Sequence, residues 1–332
     1  MTENEFLLQD RLNVIRDTIQ KYGEENFCIS FSGGKDSTVV HHLVDMALPE
    51  NKIPRVFSNT GIEYNAIVEF VREREREDGR IVMIQPSKNI KKTLDENGYP
   101  FKSKLYSEHY HTYILNKEET DRTIKYVNEH PELKYDYDFI HNLPKGVKLS
   151  TKYYFGLEEN NGKIIDAREL LSFPKKLHYQ WERKDGFNYS DKCCLEMKEK
   201  PLDKWRRENN RPHRILGLMK EEGGRRRSAK CQAFKGNDLS FHPLAVMTKE
   251  WEEWFIQEHN IKLCKLYYEP YNFDRTGCKG CPFNPRIQRE LETLGKYFPN
   301  ERKQCEYIWK PVYDEYRRIG YRLSNEEQTK LF

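Results

Sequence analysis

Ser32-Gly33-Gly34-Lys35-Asp36-Ser37 follows the apolar run Phe27-Cys28-Ile29-Ser30-Phe31 and precedes Thr38-Val39-Val40-His41-His42-Leu43-Val44. That order predicts a buried strand, a glycine turn and a helix, which together make an anion site. The two glycines let the backbone turn tightly and come close to a phosphate. The helix start points N–H groups and the positive end of its dipole at the same spot. Lys35 adds a point charge, and Ser32 and Ser37 add hydroxyl donors. Asp36 falls in the first helical turn, where a negative charge suits the dipole and can help hold magnesium. The plain alternative is a Gly-Gly turn after a buried strand. The motif is distinct from the P-loop pattern G-x-x-x-x-G-K-[ST].

Further along, the pattern repeats as strand then helix. Glu5 to Tyr22 has helical spacing through Phe6, Leu7, Leu12, Ile15 and Ile19. Arg55–Ser58 and Arg80–Gln85 read as strands, and Glu63–Glu77 and Lys91–Asn97 as helices, the last stopped by Gly98. Alternation of this kind implies parallel βαβ units, so the expected fold is α/β, a doubly wound, mainly parallel sheet with flanking helices. Ligands in such sheets sit beyond the carboxyl ends of the strands. Asn59–Glu63, which begins with the turn Asn59-Thr60-Gly61, falls there together with Ser32–Ser37, which is one reason to expect both in a single site.

From about Tyr106 to Tyr189 the periodicity weakens, and an insertion of short helices and loops is expected. It either covers a substrate or is a solvated excursion. Regular structure returns with a strand over Pro212–Met219. A helix over Lys249–His259 follows, capped by Thr248, with Trp251, Trp254 and Phe255 as a core face. The expected divisions are 1–105, a nucleotide-binding α/β part; 106–190, the insertion; 191–285, the rest of the α/β part with most of the cysteines; and 286–332, a C-terminal helical extension.

The chain has 332 residues, a net charge of +4 and 33% charged residues. That charge is too mild to require nucleic acid, although Arg225-Arg226-Arg227 leaves it possible. The three arginines are read first as a phosphate clamp. The start Met1 to Glu5 is polar and acidic, and no run reaches the ~18–20 apolar residues of a membrane span. The expected location is the cytoplasm, with no membrane partner. In that compartment the eight cysteines point to metal binding or catalysis more than to disulfides.

Five cysteines stand in pointed contexts: Cys193-Cys194, Cys231 and Cys278-Lys279-Gly280-Cys281. A C-x-x-C turn aims two thiolates at one metal or cluster. Adjacent cysteines diverge, which suits the separate corners of a four-iron cubane better than one tetrahedral zinc. A [4Fe-4S] cluster is therefore the first reading; zinc, a redox dithiol and no metal remain alternatives. Cys28, Cys264 and Cys305 are expected to be core thiols.

S-G-G-x-D-S resembles the pyrophosphate loop of the ATP-pyrophosphatase superfamily. Other motifs then line up in order: Val56–Tyr64, Gly98–Lys104, Asp191–Cys194, Met197–Leu202 and Arg275–Phe283. The set resembles the phosphoadenosine-phosphosulfate reductase family in its broad sense, from about Asn26 to Phe283. The resemblance implies an adenine-nucleotide alpha-hydrolase-like fold. It implies cluster ligands at Cys193, Cys194, Cys278 and Cys281, and a nucleotide phosphate held by Ser32, Gly33, Gly34, Lys35, Asp36 and Ser37. Asn59, Thr60, Gly61 and Glu63 would border the nucleoside. Ser103, Lys104, Arg225, Arg226 and Arg227 would surround the anionic end of the substrate. Lys35, Asp36 and Arg225 are the candidate catalytic residues.

Two departures qualify this resemblance. Sulfonucleotide reductases of the family attack with a cysteine in a C-terminal Glu-Cys-Gly-x-His tail, whereas this chain ends Asn325–Phe332 without one. Those reductases also carry a degraded loop, whereas here it is complete. The first expectation is thus cleavage of ATP, with Mg2+, to AMP and pyrophosphate in sulfur chemistry, acting on an unidentified acceptor with a sulfur or electron donor protein. A sulfonucleotide reductase using another thiol, Cys231, Cys305 or an external one, is the alternative. A nucleic-acid-binding component with a structural metal is the third.

Overall fold

In the computed structural model, described for residues 1–167, 187–223 and 226–324, the chain divides into two compact units. The first comprises Met1–Lys92, Cys194–Cys281 and Arg286–Ile308, and the second Thr93–Cys193, Pro282–Pro285 and Trp309–Phe332. The first unit opens with α1 (Glu3–Tyr22), started by a reciprocal capping box between Thr2 and Glu5. Then come β1 (Phe27–Ser30), α2 (Lys35–Ala47), β2 (Arg55–Ser58), α3 (Asn65–Glu77), β3 (Ile81–Ile84) and α4 (Ile90–Asn97), which runs into the second unit.

The insertion is more regular than its sequence suggests. It holds α5 (Lys104–Leu115), α6 (Lys117–Glu129), α7 (Tyr137–Asn142) and α8 (Lys145–Phe155), and an antiparallel hairpin of β4 (Leu157–Asn160) and β5 (Lys163–Asp166). Its cores are small. Ile140, Leu157 and Ile164 form one cluster, and Phe101 stacks on Tyr189 at 4.4 Å. Aromatic rings carry much of this packing, which is why a search for aliphatic periodicity finds little there.

A helical turn, Lys192–Cys194, passes through a π turn, Leu195–Glu199, into α9 (Lys200–Glu208). Next are β6 (His213–Ile215), β7 (Gln232–Lys235), β8 (Asp238–Phe241) and α10 (Lys249–Glu258), then α11 (Ile287–Tyr297) and α12 (Pro299–Ile308), with α13 (Lys310–Arg318) in the second unit. Among the described residues no helix is long and apolar enough to cross a membrane.

The main sheet has the order β3-β2-β1-β6-β8-β7; all neighbours are parallel except the β7–β8 pair. In β1 the side chains alternate as a pleat requires. Phe27 and Ile29 enter the large core with Val40, Leu43, Trp251 and Phe255. Cys28 points the other way, onto Val56 and Leu202. Helices therefore cover both faces, as the alternation of elements predicts. Strand β6 is shorter than the predicted Pro212–Met219, because only His213–Ile215 pair with β1 before Gly217 turns the chain against α2.

Beneath α2 lies a buried charge network. Arg55 is 0% exposed, and its Nη2 pairs with Asp45 at 2.5 Å. Its Nε–H donates to His41 Nδ1 at 3.0 Å, and Arg80 meets the same Asp45 at 2.8 Å. Burial alone would raise the Asp45 carboxyl; the hydrogen bonds from Arg80 and the charge of Arg55 hold it below its ordinary value. Asp45→Asn is expected to cost about 3–5 kcal/mol, since it strands a buried guanidinium; chemical denaturation measures this. Burial, and then the Arg55 charge, hold His41 down to about 3. Folded His41 thus stays neutral where an unfolded histidine, near pKa 6.5, binds a proton. Stability should be complete above about pH 6.5 and fall as pH drops from there toward 3. Melting curves of His41→Gln should show a shallower fall over that window.

Candidate functional site

The Ser32–Ser37 loop leaves β1 and enters α2 as its sequence predicts. Gly33 has φ +69°, and a Cβ there would lie 2.9 Å from Val71 Cγ2 and 3.1 Å from Ile67 Cγ2. Glycine is needed both for the left-handed turn and for passage over α3. Ser37 Oγ donates to the Gly34 carbonyl at 3.0 Å and accepts the Ser32 N–H at 3.1 Å. Ser32 Oγ accepts the Gly34 N–H at 3.3 Å. These bonds hold the loop shape from within, while Ser32 is exposed and Lys35 and Asp36 are half-buried.

Three further residues, Tyr267, Thr276 and Glu252, surround this loop. Tyr267 accepts the Lys35 backbone N–H at 3.0 Å, and its hydroxyl lies 2.6 Å from Thr276 Oγ1. A phenol oxygen thus sits on a helix-start N–H, the kind of donor an anion uses. Glu252, on α10, is 2% exposed and hydrogen-bonded to Asp36. Burial, and then the Asp36 charge, push its carboxyl up to about 8, against the pull of Lys35. Thr276 was visible within the Arg275–Phe283 motif, but Tyr267 carried no signal. Glu252 was hidden in a helix read by its tryptophans.

Gly217 closes the back of the loop. A Cβ on it would lie 2.7 Å from both the carbonyl carbon and oxygen of Asp36. The chain leaving β6 therefore presses directly on the first turn of α2.

The Asn59–Glu63 turn lies after β2. Asn59 Oδ1 accepts the Gly61 N–H at 3.2 Å. The Glu63 carboxylate accepts the Thr60 N–H at 2.9 Å and the Thr60 hydroxyl at 2.8 Å, and meets Lys198 Nζ at 3.3 Å. Glu63 is thus engaged inside the protein. It also pairs in a β-bridge with Cys278, and Lys279 N–H donates to Ile62 O at 2.8 Å. The second strand's turn and the C-x-x-C turn are bound to each other.

Lys198 comes from the π turn, a local widening that is frequent at functional sites. Ser58 Oγ donates to the Met197 carbonyl in that turn at 3.0 Å. Burial alone would lower the Lys198 ammonium, yet Cys278, Glu63 and Cys194 together hold it above its ordinary value. Burial pushes the Cys278 thiol up to about 11, with Lys198 opposing. Glu290 accepts the Gly280 N–H and the Tyr64 hydroxyl, and Lys279 pairs with Glu301 at 3.1 Å. Helices α11 and α12 thereby brace the cysteine turn.

A tetrahedral zinc would hold its sulfurs about 3.8 Å apart. Among the described residues, the only group of three or more His, Cys, Asp or Glu donors within 4.8 Å of one another is His41, Asp45 and Asp78. Cys194, Cys278 and Cys281 in the first unit are not drawn together that closely. The His41 group is already engaged by Arg55 and Arg80. Cys193 belongs to the second unit.

Arg226 pairs with Glu222, which also meets Arg275 at 3.5 Å. Burial, and then the Arg275 charge, lower the Arg226 guanidinium, while Asp36 raises it, so Arg226 lies within the field of the loop. Arg227 is exposed. Arg225 lies outside the described residues. Ser103 and Lys104 are in the second unit, where the Ser103 hydroxyl caps α5 by accepting the Tyr106 N–H at 3.2 Å. Cys28, Cys264 and Cys305 are buried, as expected.

A glycine-turned loop leaving the carboxyl end of a parallel strand for a helix, under a mainly parallel sheet with helices on both faces, defines an α/β protein of the doubly wound kind. The family model described as "Phosphoadenosine phosphosulfate reductase domain" matches residues 26–135 and 111–284, so the chain belongs to that family. No curated relative matches the sequence. Among solved structures, the phosphate complex of phosphoadenylyl-sulfate (PAPS) reductase from Candida auris is similar at 10% identity with a TM-score of 0.41, over 80% of this chain and 91% of that one.

Lys35→Ala should weaken binding of inorganic pyrophosphate about 10–100-fold, the equivalent of one charge-assisted hydrogen bond of about 1.5–3 kcal/mol; calorimetric titration checks this. Gly217→Ala should destabilise the fold by about 1–3 kcal/mol through overpacking and weaken the same binding, because the added methyl displaces the Asp36 peptide.

Proposed function

We propose that this protein is an enzyme of sulfonucleotide chemistry, in which the first unit binds an adenine nucleotide with its anionic end on the Ser32–Ser37 loop. Membership of the family over residues 26–284 is the observation that carries this reading. In the reductive form, an adenylyl sulfate and two thiol groups give AMP, sulfite and a disulfide. The bond between the bridging phosphate oxygen and sulfur breaks, and the thiols supply two electrons. Lys35 and the loop N–H groups stabilise the charge left on AMP.

Cys305 does not suit the attacking role. It is 0% exposed, and burial raises its thiol well above the ordinary value. Cys231 is half-buried and packs against the large core. An external dithiol, supplied by a donor protein, fits better. Within the first unit, Cys194, Cys278 and Cys281 would offer thiolates to a four-iron cluster, which when bound would supply redox-active iron. Lys198 provides positive charge next to two of these sulfurs, which suits an anionic cluster.

A second reading is cleavage of ATP to AMP and pyrophosphate during transfer to an unidentified acceptor. The complete loop, with the Asp36–Glu252 carboxyl pair behind Lys35, favours it. Anaerobically purified protein should be assayed with adenylyl sulfate plus a dithiol, and separately with ATP and Mg2+ plus cell extract as a source of acceptor. Sulfite released in step with AMP, and lost in Lys35→Ala, is the expected result. AMP and pyrophosphate from ATP, with no sulfite, would transfer the assignment to the second reading. Iron and sulfide analysis should give about four of each per chain, lost in Cys278→Ser.

A further inference from the structure

We propose that Tyr267 is a specificity-determining residue of the Ser32–Ser37 loop: its hydroxyl holds the Lys35 N–H, so that the loop favours the terminal sulfate of an adenylyl sulfate over the β,γ-pyrophosphate of ATP. This rests on the sulfonucleotide reading, and gives a physical reason why a complete loop can serve it.

The N–H groups of the loop and of the first turn of α2 are unevenly shared. Ser32 donates to Ser37 Oγ at 3.1 Å, Gly34 to Ser32 Oγ at 3.3 Å, and Thr38 to the Gly34 carbonyl at 3.0 Å. Those acceptors belong to the loop itself. Lys35 differs, because its N–H goes to the Tyr267 hydroxyl at 3.0 Å, on a residue 232 positions away. The first amide of a helix has no acceptor within the helix, and is a donor that an anion ordinarily uses. A distant segment that takes this N–H reduces what the loop can offer a ligand.

The phenol is held in place on several sides, all within the first unit. Its ring packs against the large core, and its oxygen lies 2.6 Å from Thr276 Oγ1. A Cβ on Gly34, the N-cap of α2, would lie 3.3 Å from the Thr276 oxygen and 3.4 Å from the Tyr267 oxygen. The two hydroxyls therefore fill the space beside the helix start. Burial pushes the Tyr267 hydroxyl up to about 12, so it stays a neutral phenol with a single proton. With that proton on Thr276, Tyr267 blocks one donor of the loop without supplying another.

The two nucleotide ends differ in what they demand. A terminal sulfate is one tetrahedron with a single negative charge. A β,γ-pyrophosphate carries more charge on more oxygens, and needs more donors to offset its desolvation. Withholding the Lys35 N–H therefore weakens the pyrophosphate more than the sulfate.

Calorimetric titration of the full chain with adenylyl sulfate and with α,β-methylene-ATP tests this, with Mg2+ present and no thiol donor, so that neither ligand is consumed. The unaltered protein should prefer adenylyl sulfate. Tyr267→Phe keeps the ring and frees the Lys35 N–H. It should tighten the ATP analogue about tenfold, the worth of one hydrogen bond to a charged group, and change adenylyl sulfate by less than about twofold. Thr276→Ala, which loosens the phenol, should shift the ratio the same way by a smaller factor, and covers the case in which Tyr267→Phe does not fold. Tyr307→Phe, at an exposed tyrosine, should leave the ratio unchanged. An unchanged ratio in folded Tyr267→Phe would overturn the role of Tyr267 while leaving the sulfonucleotide reading in place. Weaker binding of both ligands in that variant would also overturn it, and make the hydroxyl a donor to the anion. Preference of the unaltered protein for the ATP analogue, or binding of neither ligand, would instead remove the sulfonucleotide reading of the loop, and the role of Tyr267 with it.

Discussion

Gly217 lies hard against the backbone of the Asp36 peptide. It ties the exit of β6 to the first turn of α2, beside the paired strands β1 and β6. A side chain at 217 would have to share space with a backbone carbonyl only 2.7 Å away. That spacing limits where the first turn of α2 can lie, and the Ser32, Ser37 and Tyr267 bonds hold the loop that leads into it. Backbone against backbone leaves no flexible group to absorb an error.

Around this point the first unit is bound together by polar contacts between distant segments. Tyr267 joins the loop to Thr276, two residues before Cys278. Glu63 joins the turn after β2 to Lys198, and the β-bridge joins it to Cys278. The Ser32–Ser37 loop and the cysteine turn thus share neighbours within one compact unit. Chemistry that uses both would need that sharing, because reacting groups must be held at near-contact distances.

Glu63 and Ser103 show how a motif residue can have an internal use. Each lies in a segment that resembles the family, and each spends its polar atoms on its own unit. Glu63 braces Thr60 and Lys198, and Ser103 caps α5. Side chains of this kind position a site by holding its backbone, and substitution would act on the site through shape.

Much was legible in the sequence. The apolar run before Ser32, the glycine pair and the alternation of strand and helix determined a parallel α/β sheet with an anion loop at its carboxyl edge, because local propensity and periodicity act over neighbouring residues. The helices of the insertion were partly legible, since aromatic packing such as Phe101 on Tyr189 leaves no aliphatic stripe. Glu252, Tyr267 and Gly217 were not legible as site residues. Their roles depend on α10, on the segment after it and on the exit of β6 meeting a loop some 180 to 230 positions earlier in the chain. Only the tertiary structure decided those meetings, because burial of a carboxyl beside Asp36 and the spacing at Gly217 are properties of packed segments, and no single segment encodes the partner it will face.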